Sequence, residues 1–312
     1  MKHRCLYCYE PLEEGKDFHE KCSLKFFGTQ IAPIIPYSLD QMRELALQVV
    51  ERSISVPGVQ PKLSLSFLKG IGETNDNRLT VVGALGGNYI FKPPSPSFPE
   101  LPANEHLTMR MAELFGINVV TSSLIKLSSD ELSYITKRID RKENGDKIHM
   151  LDMFQITEAF DKYRSSMERV GKALASYSDQ SGIDLLFLFE VTVFSFLTGN
   201  NDMHLKNFSM IQSTVGWTLA PSYDLLNVKI ANPADQEELA LTMGGRKRKF
   251  SKQDFLAFGA ELGLTERQVD RVFIRFAKKK SKALNLLSHS FLSAEMQEAY
   301  SDLLEERFKR LE

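Results

Sequence analysis

The chain has 312 residues, of which 43% are hydrophobic and 25% are charged, as in ordinary globular proteins with one large domain or two smaller ones. Its formal net charge of -1 gives no sign of nucleic-acid or membrane binding through overall charge. The start of the chain lacks the apolar core of a signal peptide, and the longest apolar run, Leu185 to Leu197, is too short to span a bilayer, so we expect a cytoplasmic protein.

All three cysteines lie near the start of the chain, together with a histidine. Cys5 and Cys8 form a C-x2-C pair, and His19 and Cys22 form an H-x2-C pair. Thiolates and a neutral imidazole at these spacings can bind one tetrahedral zinc ion, and four protein ligands make such a site structural. The alternative is a group of small buried thiols beside an unrelated histidine. Residues 1–30 are therefore a cysteine-rich segment with a candidate zinc site.

Residues 31–147 are predicted to form a small lobe rich in β-strands. Apolar residues at helical spacing predict a first helix, with Ser38 as its N-cap and Gln41 at the capping-box position. Alternating apolar residues and Gly-containing turns predict the strands. The expected elements are helices at 37–50 and 104–116, a strand at 63–67, and two hairpins that pair 79–84 with 88–92 and 119–127 with 132–139.

A turn of small residues runs from Ser53 to Lys62. Backbone amides in such a loop can contact phosphate groups, and the lysine adds a positive charge. The candidate nucleotide contacts are Gly58, Val59, Gln60 and Lys62. The chain contains no Walker A pattern, and an ordinary Pro-Gly hairpin is the alternative.

Lys92 ends a predicted strand in which Tyr89 and Phe91 face one side while Ile90 and Lys92 face the other. In a kinase this would be the strand lysine that contacts the nucleotide phosphates; otherwise its amine simply extends from the edge of a strand into solvent. Glu105 follows in the first turn of the next predicted helix. It could pair with Lys92, or its negative charge could simply stabilise the start of the helix, which is the positive end of the macrodipole.

The segment Phe196–Phe208 ends a long apolar stretch and is dense in polar side chains. Asp202 and Asn207 stand five residues apart, as do the base and the magnesium-binding amide of the protein-kinase loop H-R-D-x-x-x-x-N. Asp and Asn are also common in turns, so this spacing is weak evidence alone. After a predicted hairpin at 208–220, Asp224 could supply a second metal contact. The order of buried helix, loop, hairpin and aspartate is that of phosphoryl transfer in kinases.

Residues 148–312 are predicted to be mostly helical, with 148–157 as a hinge that would meet an adenine. The basic run Arg246–Lys249 could meet DNA or an acidic partner, or it could be a solvated loop.

The expected fold is α+β, two-lobed and protein-kinase-like, with a small antiparallel β-rich N-lobe and a mostly helical C-lobe. The expected helices cover 166–177, 183–198, 255–262, 265–287 and 293–311.

Taken together, the motifs resemble the HipA family of serine/threonine kinases, which are toxins of bacterial toxin-antitoxin systems. The resemblance runs from about Ser53 to the C-terminus. The chain is shorter than full HipA proteins, and it resembles the compact HipT type, whose missing N-terminal subdomain is a separate small protein. The segments that carry the resemblance are Ser53–Ser64, Phe91–Pro93, Asn104–Glu105, Lys137–Arg141, Gly199–Phe208 and Ser222–Asp224.

The resemblance assigns roles to residues of the candidate loop. It implies Asp202 as the catalytic base, Asn207 and Asp224 as magnesium ligands, and Lys92 as the contact to the ATP phosphates. His204 of the same loop is a further candidate for nucleotide binding. ATP and magnesium are therefore the expected cofactors.

The resemblance also implies autophosphorylation of the serine loop, at Ser53 or Ser55. A phosphate there would add about two negative charges beside the nucleotide-binding turn. Members of the family phosphorylate aminoacyl-tRNA synthetases and are neutralised by a DNA-binding partner or a small antitoxin, so we expect a kinase toxin that inhibits translation. The alternatives are a pseudokinase or regulatory binding module of the same fold, a kinase for a lipid or small molecule, and a nucleic-acid binder.

Overall fold

A computed structural model of the protein describes residues 3–52, 62–68, 77–82, 86–142 and 144–312. The chain divides into two compact units. The first contains Met1–His106, Val120–Lys147 and His289–Phe291, and the second contains Leu107–Val119, Ile148–Ser288 and Leu292–Glu312. The cysteine-rich start of the chain is therefore grouped with the first unit.

The first unit is built on a five-stranded antiparallel sheet with strand order β2-β1-β3-β5-β4. Its elements are helices α1 (Glu20–Phe27) and α2 (Leu39–Arg52), strands β1 (Leu63–Leu68), β2 (Arg78–Val81) and β3 (Tyr89–Lys92), helix α3 (Leu101–Phe115), whose later part is counted with the second unit, and strands β4 (Ser122–Lys126) and β5 (Leu132–Lys137). The predicted antiparallel sheet is confirmed, as is the hairpin formed by β4 and β5.

The predicted hairpin between residues 79–84 and 88–92 is wrong, because β1 lies between β2 and β3. Leu65 of β1 is fully buried and has a partner in both neighbouring strands, with Tyr89 as its partner in β3. In this position between β2 and β3, both edges of β1 are hydrogen-bonded to neighbouring strands. Gly87 permits the close approach: its φ is 77°, and a Cβ there would lie 2.4 Å from the carbonyl oxygen of Leu65.

Local sequence signals set the starts of two helices in the first unit. Before α2, the Gln41 N–H donates to Ser38 Oγ at 3.3 Å and the Ser38 N–H donates to Gln41 Oε1 at 2.9 Å, which is the predicted capping box. Helix α3 begins at Leu101, earlier than predicted. Pro102 stands in its first turn, where the missing N–H has no partner in the helix to lose.

The second unit is mostly helical and carries a three-stranded antiparallel sheet with order β6-β7-β8. Its elements are strand β6 (Met150–Asp152), helices α4 (Met153–Ile156), α5 (Met167–Tyr177) and α6 (Ser181–Thr198), a 3₁₀ turn (Leu205–Asn207), strands β7 (Ser209–Ser213) and β8 (Gly216–Leu219), and helices α7 (Val228–Ala231), α8 (Lys252–Glu261), α9 (Glu266–Ser288) and α10 (Ala294–Leu311). The predicted β7–β8 hairpin is confirmed. Strand β6 was missed, because three residues are too few to display a period.

Helix α6 forms the core of the second unit. Every residue from Leu188 to Thr198 is buried, as the all-round apolar sequence predicts. Among the described residues it is the one helix long and apolar enough to cross a membrane, and 67% of that window is buried inside the protein. Such burial is typical of a helix in a protein core.

Helix α10 is joined to the 237–250 segment by Glu238. This carboxylate accepts hydrogen bonds from Arg310 Nη1 at 2.8 Å, from Arg310 Nη2 at 3.0 Å and from the Phe250 N–H at 3.0 Å. Burial raises the pKa of Glu238, but the Arg310 and Phe250 hydrogen bonds and the Arg307 charge outweigh it, so the pKa lies below its ordinary 4.5. The ion pair between Glu238 and Arg310 therefore helps to hold the 237–250 segment against α10.

Candidate active site

The candidate loop begins at Gly199, the residue that caps the C-terminus of α6, and its φ of 68° is left-handed. Its carbonyl oxygen accepts from the N–H groups of Val228 and Lys229, each at 3.1 Å. A Cβ at this position would lie 2.5 Å from Leu303 Cδ2 and 2.8 Å from Asn227 Oδ1. The loop therefore leaves the helix in a fixed direction that only glycine allows.

Hydrogen bonds hold Asp202 and Asn207 together. Asn207 Nδ2 donates to the carbonyl oxygen of Asp202 at 2.9 Å, and the His204 N–H donates to the same oxygen at 2.8 Å. The Asn207 N–H donates to the His204 carbonyl at 2.9 Å, within the 3₁₀ turn. Because Nδ2 is engaged, Oδ1 is the atom through which Asn207 could ligate a cation.

The carboxylate of Asp202 accepts a hydrogen bond from Tyr163. The phenol donates to Asp202 Oδ1 at 2.8 Å, and its ring meets the His204 ring edge-on with centroids 5.0 Å apart. Burial raises the pKa of Tyr163, and the Asp202 carboxylate raises it further, so the phenol stays protonated and donates. No pattern in the sequence points to Tyr163, because 39 residues separate it from Asp202.

His204 is buried in this cluster. Burial lowers its pKa most strongly, and the Asp202 carboxylate opposes that effect, but the pKa still lies below the ordinary 6.5. The imidazole is therefore mainly neutral at neutral pH. Its Nδ1 has no hydrogen-bond partner among the described residues. That nitrogen is the atom through which His204 could contact a ligand.

Two asparagines before Asp202 brace the loop. The Asp202 N–H donates to Asn200 Oδ1 at 3.2 Å, and Asn201 Nδ2 donates to the Glu237 carbonyl at 3.1 Å. Both asparagines are buried. The first of these hydrogen bonds lies within the loop, and the second attaches the loop to the 237–250 segment. These contacts use one polar atom of each side chain, while Asn200 Nδ2 and Asn201 Oδ1 have no hydrogen-bond partner among the described residues. Neither asparagine was assigned a role from sequence.

Asp224 is anchored through its neighbours. The Ser222 N–H donates to the Asn118 carbonyl at 2.8 Å, and the Tyr223 hydroxyl, itself 2.5 Å from Ser209 Oγ, donates to the Lys206 carbonyl at 3.0 Å. Lys206 directly precedes Asn207, so Tyr223 ties the two predicted magnesium ligands to one framework. Asp224 has φ 56°, a left-handed conformation that is uncommon outside glycine and typical of functional positions.

Lys92 of β3 is paired with Glu105 of α3 within the first unit. Lys92 Nζ donates to Glu105 Oε1 at 2.6 Å, and the two side chains are 5% and 1% exposed. Lys92 Nζ also lies 5.2 Å from the centre of the Tyr134 ring. The pairing of Lys92 with Glu105 is confirmed, and the amine does not extend into solvent. A buried lysine beside a glutamate is the arrangement that orients the strand lysine in kinases.

Most of the serine loop lies outside the described residues, including Ser53, Ser55, Gly58, Val59 and Gln60. Lys62 is described and exposed, directly before β1.

Comparison with known proteins places the chain in a family. The model of the HipA-like C-terminal domain matches residues 54–284, well over half of the chain. The chain belongs to the HipA family. This confirms the resemblance read from the motifs.

Several HipA-like relatives are named as kinases. A Haemophilus influenzae kinase is 26% identical over 290 residues, covering 83% of this chain and 82% of the relative. The kinase Y4dM of Sinorhizobium fredii is 30% identical over 233 residues, covering 69% of this chain and 55% of the relative. The serine/threonine-protein kinase toxin HipA of Shewanella oneidensis is 26% identical over 207 residues, covering 59% of this chain and 45% of the relative. The chain thus spans about half the length of the last two relatives.

Solved structures support the fold of this HipA-family chain. Shewanella oneidensis HipA, solved with HipB and operator DNA, gives a TM-score of 0.68 at 21% identity over 86% of this chain and 70% of that one. The Helicobacter pylori proinflammatory kinase CtkA gives a TM-score of 0.55 at 16% identity, over 79% of this chain and 93% of that one. The mixture of helices and antiparallel sheet is therefore shared with kinase folds.

The structure also describes two other groups that the sequence analysis identified, the cysteine and histidine cluster and the basic run Arg246–Lys249. The ligand atoms of Cys5, Cys8, His19 and Cys22 all lie within 4.8 Å of one another. In the basic run, Arg246 pairs with Asp254 and Lys247 Nζ lies 3.1 Å from Glu237 Oε2. Two of the four basic side chains therefore have acidic partners within the chain, while Arg248 and Lys249 are exposed.

Proposed function

We propose that this chain is an ATP- and magnesium-dependent serine/threonine protein kinase that acts as the toxin of a bacterial toxin-antitoxin system. The observation that carries the proposal is the hydrogen-bonded pair of Asp202 and Asn207, with Asp224 anchored to the same framework through Tyr223. One carboxylate, one amide and a second carboxylate are the groups that a kinase loop needs. Membership of the HipA family and the relatives named as kinases support it.

In the proposed mechanism each residue has one role. Asp202 orients a serine or threonine hydroxyl of the substrate and accepts its proton. Asn207, through Oδ1, and Asp224 hold magnesium, which when bound neutralises charge on the phosphates. Lys92, oriented by Glu105 at 2.6 Å, contacts the ATP phosphates. The protein then contributes mainly positioning and charge neutralisation.

The serine loop belongs to the same proposal. Gly58, Val59, Gln60 and Lys62 contact the nucleotide, together with His204 of the catalytic loop. The loop is autophosphorylated at Ser53 or Ser55, and the added charge alters the access of ATP to the site.

The substrate and partners are proposed by family. The substrate is an aminoacyl-tRNA synthetase, and phosphorylation of it inhibits translation in the cytoplasm. The antitoxin is a small protein or a DNA-binding protein, as the complex of Shewanella HipA with HipB and operator DNA suggests. The domain organisation is a cysteine-rich segment at 1–30, an N-lobe at 31–147 and a C-lobe at 148–312, in a two-lobed kinase arrangement.

Phosphate transfer from labelled ATP tests the proposal. We expect the wild type to label itself, and Asp202→Asn to lose transfer by roughly 10²-fold or more, because the amide cannot accept the proton. Asp270→Asn is the matched control, since Asp270 is exposed on α9, and it should transfer as the wild type does. Undiminished labelling by Asp202→Asn would remove that residue from the role of base. ATP binding without transfer by the wild type would instead favour a pseudokinase.

A further inference from the structure

The strongest site outside the candidate active site is the cysteine and histidine cluster at the start of the chain. Cys5 and Cys22 are buried, while Cys8 and His19 are partly exposed, and their ligand atoms lie within 4.8 Å of one another. His19 Nδ1 lies 3.5 Å from Cys8 Sγ and 3.8 Å from Cys22 Sγ. Zinc bonds of about 2.3 Å to sulfur and about 2.0 Å to nitrogen put these atoms about 3.5 Å apart in a tetrahedron. The observed distances fit that geometry.

The second nitrogen of His19 supports the same reading. His19 Nε2 lies 3.0 Å from the carbonyl oxygen of Pro11, a contact in which the nitrogen must donate. The proton is therefore on Nε2, and the lone pair of Nδ1 faces the thiols. Metal-binding histidines are held in this way, with one nitrogen donating to a carbonyl and the other left to ligate.

Local backbone structure presents each pair of ligands. The Tyr9 N–H donates to the Cys5 carbonyl at 3.0 Å, and Tyr9 has φ 66°, so Cys5 and Cys8 lie on one tight turn. His19 is the N-cap of α1, and the Cys22 N–H donates to the His19 carbonyl at 2.9 Å. A turn and a helix start thus direct four ligands to one point, as in structural zinc sites.

We propose that Cys5, Cys8, His19 and Cys22 bind one structural Zn²⁺ ion, and that this ion fixes the segment that supports strand β3. Four protein ligands leave no open position for catalysis. The ion would bind as the thiols lose their protons, so it couples metal binding to folding of a segment too short to form a core by itself.

Contacts inside the first unit link the segment to the sheet. Phe26 and Phe27 of α1 pack against Tyr89 of β3, with ring centroids 5.9 and 6.3 Å apart. The Leu124 N–H of β4 donates to the Leu6 carbonyl at 3.3 Å. Leu6 lies between the first two ligands, and α1 carries the fourth. Loss of the ion would therefore loosen both the packing on β3 and the hydrogen bond to β4.

Metal analysis of the purified full chain under reducing conditions tests the binding. We expect one Zn²⁺ per chain, replaceable by Co²⁺ with the visible absorption of a tetrahedral thiolate complex. His19→Gln should lose this absorption or greatly weaken it, while His3→Gln, the matched control outside the cluster, should keep it. The Co²⁺ titration of the wild type needs no variant, so a misfolded variant leaves the test intact. A wild type that binds no Co²⁺, or that carries a cysteine disulfide instead, would overturn the proposal.

Amide hydrogen exchange tests the supporting role. When the wild type is stripped of metal, the Leu124 amide should exchange at least tenfold faster, while amides of α6 in the other unit keep their rates. His3→Gln should respond as the wild type does. Equal exchange at Leu124 with and without metal would contradict the supporting role, and neither result depends on kinase activity.

Discussion

Tyr163 places a hydroxyl on the carboxylate that the proposed mechanism uses as its base. The bond of 2.8 Å to Asp202 Oδ1 restricts rotation of the carboxylate, and the ring is fixed by edge contact with His204. A base oriented before the substrate arrives does not need to be ordered during the reaction. Tyr163 is therefore a positioning residue of the proposed site.

Replacing Tyr163 with phenylalanine should slow phosphate transfer. The ring still packs on His204, but the hydrogen bond is lost, so we expect the rate constant of transfer to fall roughly twofold to twelvefold, as for a bond worth about 0.5–1.5 kcal/mol. The KM for ATP should not change, because Tyr163 has no role in nucleotide binding in the proposal. Steady-state kinetics measure both quantities.

Tyr177→Phe is the control for that measurement, since Tyr177 is 60% exposed. It should leave both constants unchanged. A Tyr163→Phe enzyme that transfers phosphate at the wild-type rate would show that Asp202 is oriented without Tyr163.

Helix α10 stabilises the second unit through a charge cluster around Glu238. Arg307 and Arg310 both contact this carboxylate, and Arg307 also lies 4.5 Å from the centre of the Phe196 ring near the end of α6. The cluster joins the last helix to the segment after β8 and to α6. Removing one partner from a buried pair leaves a charge without compensation.

Glu238→Gln should lower the free energy of unfolding at neutral pH by about 2–3 kcal/mol, somewhat below the effect of breaking a fully buried pair, because Arg310 is partly exposed. Glu305→Gln, a change at an exposed position of α10, is the control and should leave the free energy of unfolding nearly unchanged. Urea unfolding followed by circular dichroism measures the difference. A variant as stable as the control would mean that the cluster adds no net stability.

The same residue predicts a pH dependence. Because folding lowers the pKa of Glu238, its contribution is present above the ordinary value of 4.5 and is lost as the pH falls through the lower folded pKa. The wild type should therefore lose more stability than Glu238→Gln on acidification into this range. Parallel pH dependences of the wild type and the variant would contradict this assignment.

For the whole molecule, ligand binding should appear as added stability. A ligand that binds only the folded chain raises its stability by about 2.7 kcal/mol at 100 times its dissociation constant. In the proposal Asn207 and Asp224 hold the metal and Asp202 does not. Changes at Asn207 and Asp224 should therefore weaken the binding of MgATP, whereas a change at Asp202 should not. All three changes should reduce phosphate transfer.

MgATP should raise the melting temperature of the wild type and of Asp202→Asn. The rise should be strongly reduced in Asn207→Ala, because the amide ligand of the metal is lost, and it should persist in Asn285→Ala, an exposed control on α9. Thermal unfolding with ATP and magnesium, and with ATP and a chelator, measures the effect. An undiminished rise in Asn207→Ala would exclude that side chain as a magnesium ligand.

Local sequence patterns predicted most of the elements but not all of the pairing between them. The β4–β5 and β7–β8 hairpins were correct because each turn and its two strands are contiguous. Pairing of 79–84 with 88–92 was wrong because the buried strand β1, farther back in the chain, takes the position between them. Competition between neighbouring and distant partners depends on burial of whole strands, which the turn residues do not encode.

The sequence by itself determined which residues are candidates for chemistry, because spacings such as Asp202 to Asn207 and Cys5 to Cys8 are set within a few residues by a turn. It also determined the buried helix that precedes the loop. Only the tertiary structure decided that Tyr163 hydrogen-bonds Asp202 and that Lys92 is neutralised by Glu105. These contacts join elements that are distant in the chain, and the packing that closes them depends on the fold as a whole.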